Sequence, residues 1–114
     1  MSYPNDDNGE ALRRMKADGD DLSQSRDIDF TVVLPNDFAA NRFAEYFRDA
    51  GYTTNVRLSQ VRESHPWEVV VTNHMVPTYE GIVAFESELN DSASTLGGHN
   101  DGWGCFAQLP RHLQ

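Results

Sequence analysis

Cysteine occurs once in the 114 residues, at position 105, so no disulfide can close within the chain. A disulfide-stapled secreted fold is thereby excluded. Long apolar runs are missing too. Nothing approaches the roughly 18 consecutive apolar residues that a membrane-spanning helix needs. The opening stretch "MSYPNDDNGE" is polar and acidic, without the basic-then-apolar pattern of a secretory leader. Basic residues are scarce: nine Lys and Arg stand against eighteen Asp and Glu, a formal charge of −9. Phosphate backbones are bound by Lys and Arg clusters, so direct nucleic-acid binding is not expected. The expectation is a soluble protein of a reducing compartment, most simply the cytoplasm. Its charge favours solubility and attraction to a basic protein surface.

What remains is sufficient for folding. An apolar fraction of 39% and an aromatic fraction of 11% suit a globular chain. The length fits one domain over 1–114, able to bury a core without a metal or disulfide. No internal repeat, low-complexity tract or interdomain linker interrupts it.

Periodicity divides the chain into elements. Turn residues 4–7 precede a short helix over about 7–18, with Leu12, Met15 and Ala11 on one face and Gly19 as its stop. "DGDDLSQSRD" reads as a loop. In "DIDFTVVLP", Ile28, Phe30, Val32 and Leu34 alternate with Asp29, Thr31 and Val33, the pattern of a half-buried strand ended by Pro35. Asn36 or Asp37 is a natural N-cap for the helix "DFAANRFAEYFRDAG". Its expected apolar stripe is Ala39, Phe43, Tyr46, Phe47 and Ala50, closed by Gly51. "YTTNVRLS", the turn "QVRESHP" and "PWEVVVTNHM" form an antiparallel hairpin. A helix over about 77–94 follows, with Pro77 in its first turn and Tyr79, Ile82, Phe85, Leu89, Ala93 and Leu96 as its stripe. Gly97 and Gly98 end it. "NDGWGCFAQL" is the last strand and "PRHLQ" a tail.

After the first helix the order is β-α-β-β-α-β, the ferredoxin-like split β-α-β pattern of the α+β class. Right-handed crossovers place both later helices on one face of a four-stranded antiparallel sheet, order 4-1-3-2. The other face is left open unless the first helix or a partner covers it, which an antiparallel sheet tolerates.

The densest chemical signal is "GGHNDGWGCF", residues 97–106. A phosphate loop needs Gly-x4-Gly-Lys-Ser/Thr between strand and helix. Here the order is inverted and no Lys or Arg lies between 97 and 110. Asn100, Asp101 and Gly102 suit a turn into the strand, and Gly104 suits a close approach by another backbone or a Trp ring. Cys105 falls in the expected strand, where a lone Cys acts as a small hydrophobe, although a base such as His65, His74, His99 or His112 beside it would activate it. There is no CxxC, HxxxH or HExxH, and "DGDD" at 18–21 lacks the later ligands of a calcium loop, so no metal or cofactor is expected. Glu86 is the one carboxylate on the last helix's apolar stripe. It is either a pocket acid or a stripe-edge Glu that takes hydrogen bonds. Trp67 and Trp103 are either core or interface residues. No set of acid, base and nucleophile converges, so no enzyme is expected.

Several segments taken in order resemble the regulator of ribonuclease activity B (RraB) family, the ribonuclease E inhibitor domain. They are "MKADGDD", "DFAANRFAEYFRDAGYTTNV", "HPWEVVVTNHMVPTYEGIVAFESEL" and the closing Asp-Gly-Trp-Gly of "GGHNDGWGCF". The resemblance spans about residues 9–107. It implies a ferredoxin-like fold and a non-enzymatic role: binding ribonuclease E and lowering its activity on RNA. In the enterobacterial members the target is the enzyme's disordered C-terminal region. The sequence departs from those members by closing on "PRHLQ" without their long acidic tail.

The combined expectation is an acidic protein-binding regulator of a ribonuclease E-like enzyme or another basic protein segment. Asp18, Asp20, Asp21, Asp101 and Trp103 are the expected contacts. The alternatives are a ligand-binding domain or enzyme with a pocket at Glu86, and an interaction module unrelated to RNA decay.

Overall fold

The computed structural model describes residues 3–59, 63–106 and 108. The expected turn residues 60–62, the strand residues 107 and 109 and the tail 110–114 lie outside the described residues. The elements run α1 (Asp7–Ala17), β1 (Arg26–Leu34), α2 (Asp37–Asp49), β2 (Thr53–Leu58), β3 (Trp67–Met75), α3 (Tyr79–Ser94) and β4 (His99–Gly104). The strands form one antiparallel sheet in the order β2-β3-β1-β4. Counted from the other edge this is 4-1-3-2.

Each helix begins at a polar cap that takes up a free backbone N–H. Asp6 accepts from the Gly9 amide at 2.8 Å, Asn36 from Ala39 at 2.8 Å and Thr78 from Gly81 at 3.0 Å. The Thr78 cap corrects the expected start of α3. Pro77 precedes the cap instead of lying in the first turn, because the Thr78 hydroxyl, not the proline ring, sets the helix entry.

All three helices share one face of the sheet. Ile28, Phe30, Val32 and Leu34 of β1 and Val69 and Val71 of β3 meet Leu12 of α1, Phe43 and Phe47 of α2, and Ile82, Phe85 and Leu89 of α3 in one cluster. Phe30 meets Phe85 edge-on, 4.8 Å between ring centres. Fully burying one such ring is worth about 1.5–3 kcal/mol. The α2 stripe is rotated from its expected position. Ala40 and Ala44 are buried, whereas Tyr46 is 60% exposed and Ala50 is exposed. Small side chains on the inward arc let α2 approach the sheet closely, which turns Tyr46 outward.

The opposite face carries no helix among the described residues. Register places Asp27 beside His74, Asp29 beside Thr72, Thr31 beside Val70 and Val33 beside Glu68. The alternation of β1 separates an apolar face from one that is polar over Asp27, Asp29 and Thr31 but apolar at Val33, which is fully buried.

Candidate functional site

The signature Asp101-Gly102-Trp103-Gly104 is built around one extra residue. Val32 pairs with Asn100 and Phe30 with Trp103, so two residues of β4 stand opposite Thr31 alone. This is a β-bulge, and Gly102 sits in it at φ 103°, a conformation that a side chain would strain. The bulge breaks the alternation between Asp101 and Trp103. Trp103 faces the helices beside Phe30 and packs against the core. Asp101 lines the uncovered face with Asp27 and Asp29. The two expected contact residues are thus brought to opposite faces. The last strand also ends at Gly104, so Cys105 follows it instead of lying within it.

The expected close approach belongs to Gly98 rather than Gly104. A Cβ at Gly98 would collide with the Val33 carbonyl oxygen and come within 2.7 Å of Leu34 Cδ2, while one at Gly104 would meet nothing within 4 Å.

On the helix side, Trp103 starts a polar chain. Its indole Nε1–H donates to Asn8 Oδ1 at 2.8 Å. Asn8 Nδ2 donates to Glu86 Oε1 at 2.7 Å, and Asn100 Nδ2 to Glu86 Oε2 at 2.8 Å. Both carboxylate oxygens of Glu86 are therefore occupied, and the half-buried group ties α1, α3 and β4 together. Glu86 lines neither the basin on the open face nor the groove between α1 and β4. A second tie joins the same helices: the Tyr79 hydroxyl donates to Asp6 Oδ2. That hydrogen bond, with the Gly9 amide, holds the Asp6 carboxyl below the ordinary range and raises the Tyr79 phenol.

The loop acids divide in the same way. Asp18 is exposed. Asp20, expected at the surface, is only 7% exposed and lies 2.7 Å from Arg26 Nη1, with both side chains buried. Its placement as a surface contact is corrected: Arg26 takes its charge inside. Asp20 Oδ1 also accepts from the Gln108 amide at 3.1 Å. Asp21 folds onto its own loop. It accepts from the Ser23 hydroxyl at 2.6 Å and from Gln24 Nε2 at 3.1 Å, and the Ser23 bond is the largest influence holding its carboxyl low. Trp67 pairs with Leu34 and Leu58 and packs against the core.

The uncovered face holds a shallow basin of about 750 Å³. Asp27, Asp29 and Asp101 line it, with Thr31, Thr53 and Thr72 between them. Phe106, 90% exposed, stands at its rim. Asp29 accepts from the Thr72 hydroxyl at 2.6 Å, and Asp27 lies 2.8 Å from His74 Nδ1. Asp27, Asp29 and Phe106 were not singled out in the sequence, although "DIDF" carries the signal: two aspartates alternate there with two core residues.

The catalytic alternatives gain little from this geometry. Burial pushes the Cys105 thiol up, against the pull of a hydrogen bond from Arg26, which favours the unreactive form. Ser25, His74 and Asp27 have the connectivity of a hydrolase triad, with Ser25 Oγ 3.2 Å from His74 Nε2. All three are exposed at the end of the sheet, so water surrounds the hydroxyl. His65 and His99 meet edge-on at 5.1 Å, but His65 Nε2 is bonded to the Gly97 carbonyl. Among the described residues, no three His, Cys, Asp or Glu side chains are grouped to hold a metal ion, and no helix is long and apolar enough to cross a membrane.

Fold and site together define an α+β protein whose apolar sheet face is closed by three helices and whose other face holds an acid-lined basin and carries no helix among the described residues. The family model of RraB, regulator of ribonuclease activity B, matches residues 5–105, and the chain belongs to that family. The family is one of regulators of ribonuclease activity. No curated protein matches the chain significantly.

Proposed function

We propose that the chain is a non-enzymatic regulator that lowers the activity of a ribonuclease E-like endoribonuclease by direct protein contact. The observation that carries this reading is an acid-lined, uncovered sheet face in a member of a ribonuclease-regulator family. An endoribonuclease must attract phosphate, so it or its scaffold offers basic segments. An acidic surface competes with RNA for such a segment by charge alone. The exposed Asp18 and Asp101 belong to the contact surface on this reading, while Asp20, Asp21 and Trp103 keep the surface in shape. The chain acts as one ferredoxin-like domain in the cytoplasm and needs no cofactor. With both its oxygens hydrogen-bonded, Glu86 serves structure and not a pocket.

The test is a titration of the purified chain into a ribonuclease E-type enzyme of the same cell, cleaving a single-stranded RNA. The cleavage rate falls as the chain is added and recovers as salt screens the contact. An unchanged rate, together with no capture of the enzyme at low salt, overturns the reading.

A further inference from the structure

The helices cover one face of the sheet; on the other, Val33 is buried at one end, while the stretch of β1 over Asp27, Asp29 and Thr31 carries no helix among the described residues. The open part of that face is floored by Thr31, Thr53, Thr72 and Val70, and no Lys or Arg is among the residues lining its basin. We propose that it is a docking surface for an extended, arginine-rich protein segment with arginines at alternate positions. The inference rests on the reading of the chain as a protein-binding regulator, and it names the surface and the chemistry of the partner.

Three observations select this occupant. The first is charge: Asp27, Asp29 and Asp101 line the basin. A second copy of the chain would set these carboxylates against their own kind, and RNA would bring phosphates to them. The second is spacing. Asp27 and Asp29 are two residues apart on β1, about 7 Å along a strand, and an extended segment presents alternate side chains with the same period. The hydrogen bonds from Thr72 and His74 each occupy one oxygen of an exposed carboxylate, so the other oxygen can meet a guanidinium. The third is the ring of Phe106, 90% exposed at the rim. A planar guanidinium stacks on an aromatic face while one of its N–H groups bonds the remaining carboxylate oxygen, a combination that ammonium does not reproduce. The surface therefore prefers arginine to lysine.

The test uses fluorescent eight-residue peptides of alternating Arg-Thr and alternating Lys-Thr, with fluorescence anisotropy on the full chain at physiological salt. The arginine peptide binds more tightly than the lysine peptide. Asp27→Asn with Asp29→Asn weakens it about tenfold, roughly a factor of three for each exposed pair. Phe106→Ala, at a position too exposed to unfold the chain, weakens it about threefold and narrows the arginine–lysine gap. Glu45→Gln with Glu88→Gln makes the same charge change on exposed helix positions and leaves binding unaltered. Equal losses in the two double variants overturn the proposal, as does a single-stranded RNA octamer that binds more tightly than either peptide.

The two readings fail separately. If the face variants lose the peptide yet still inhibit the ribonuclease, the docking surface is wrong and the proposed function stands. If the unmodified chain binds the peptide on this face but never slows the ribonuclease, the surface stands and the function falls.

Discussion

Phe30 and Thr31 are neighbours in β1 and occupy opposite environments. Phe30 is fully buried, against the ring of Phe85 and opposite Val71 and Trp103. Thr31 lies on the floor of a basin open to water. The same backbone and the same register serve both. The helix face is filled with interlocking apolar side chains, so its residues are chosen by volume. Over Asp27, Asp29 and Thr31 the other face needs only residues that suit a strand, so those positions are free to be chosen by charge. On the proposed reading, stability and recognition lie on different sides of one sheet.

The largest expected effect breaks the comparison at its sharpest point. Phe30→Ala leaves a cavity under three helices and costs about 3–5 kcal/mol of unfolding free energy in urea titration. Thr31→Ala, one residue along, stays within about 0.5 kcal/mol. Similar costs at both positions would mean that the uncovered face is not free. Next comes the bulge that separates the faces in β4. Gly102→Ala forces a Cβ into φ 103° with no steric neighbour to blame, a cost of about 1–2 kcal/mol. NMR would show the Asp101 and Trp103 amides shifting together. Trp103→Phe keeps most of the ring on the core and removes the donor to Asn8, a loss of about 1 kcal/mol. Hydrogen exchange in α1 reads it, and unaltered α1 protection would show that the polar chain does not hold the helix.

The smallest effect is acidic. The folded Asp6 carboxyl is held below its unfolded value by Tyr79 and the Gly9 amide. Its contribution is complete above the unfolded carboxylate pKa and disappears as pH falls through the lower folded value. Trp103 fluorescence should report α1 loosening in that acid window. In Asp6→Asn, which keeps a capping side chain, the step is smaller.

The faces of β1 were legible in its alternation, and the element order followed from turn residues and caps. What escaped was set by distance along the chain. Asn8, Glu86 and Trp103 are one hydrogen-bonded chain, but the partners of Asn8 lie 78 and 95 residues away. Asp20 read as one more loop acid, because nothing local says that Arg26 turns inward to meet it. Tyr46 suited an apolar stripe, but the arc that packs is the one with Ala40 and Ala44. The bulge was hidden for a different reason: "DGW" reads as a turn until the pairing of β1 with β4 shows an extra residue.

The tie at Asn8 also orders the protein in time. A chain emerges from the ribosome N-terminus first. Asn8 leaves before its partner, because the tryptophan whose indole N–H it accepts a hydrogen bond from follows 95 residues later. Leu12, the fully buried anchor of α1, belongs to a core whose other members extend to Ala93. α1 thus waits for its seat, which is complete only when α3 and Trp103 have been made.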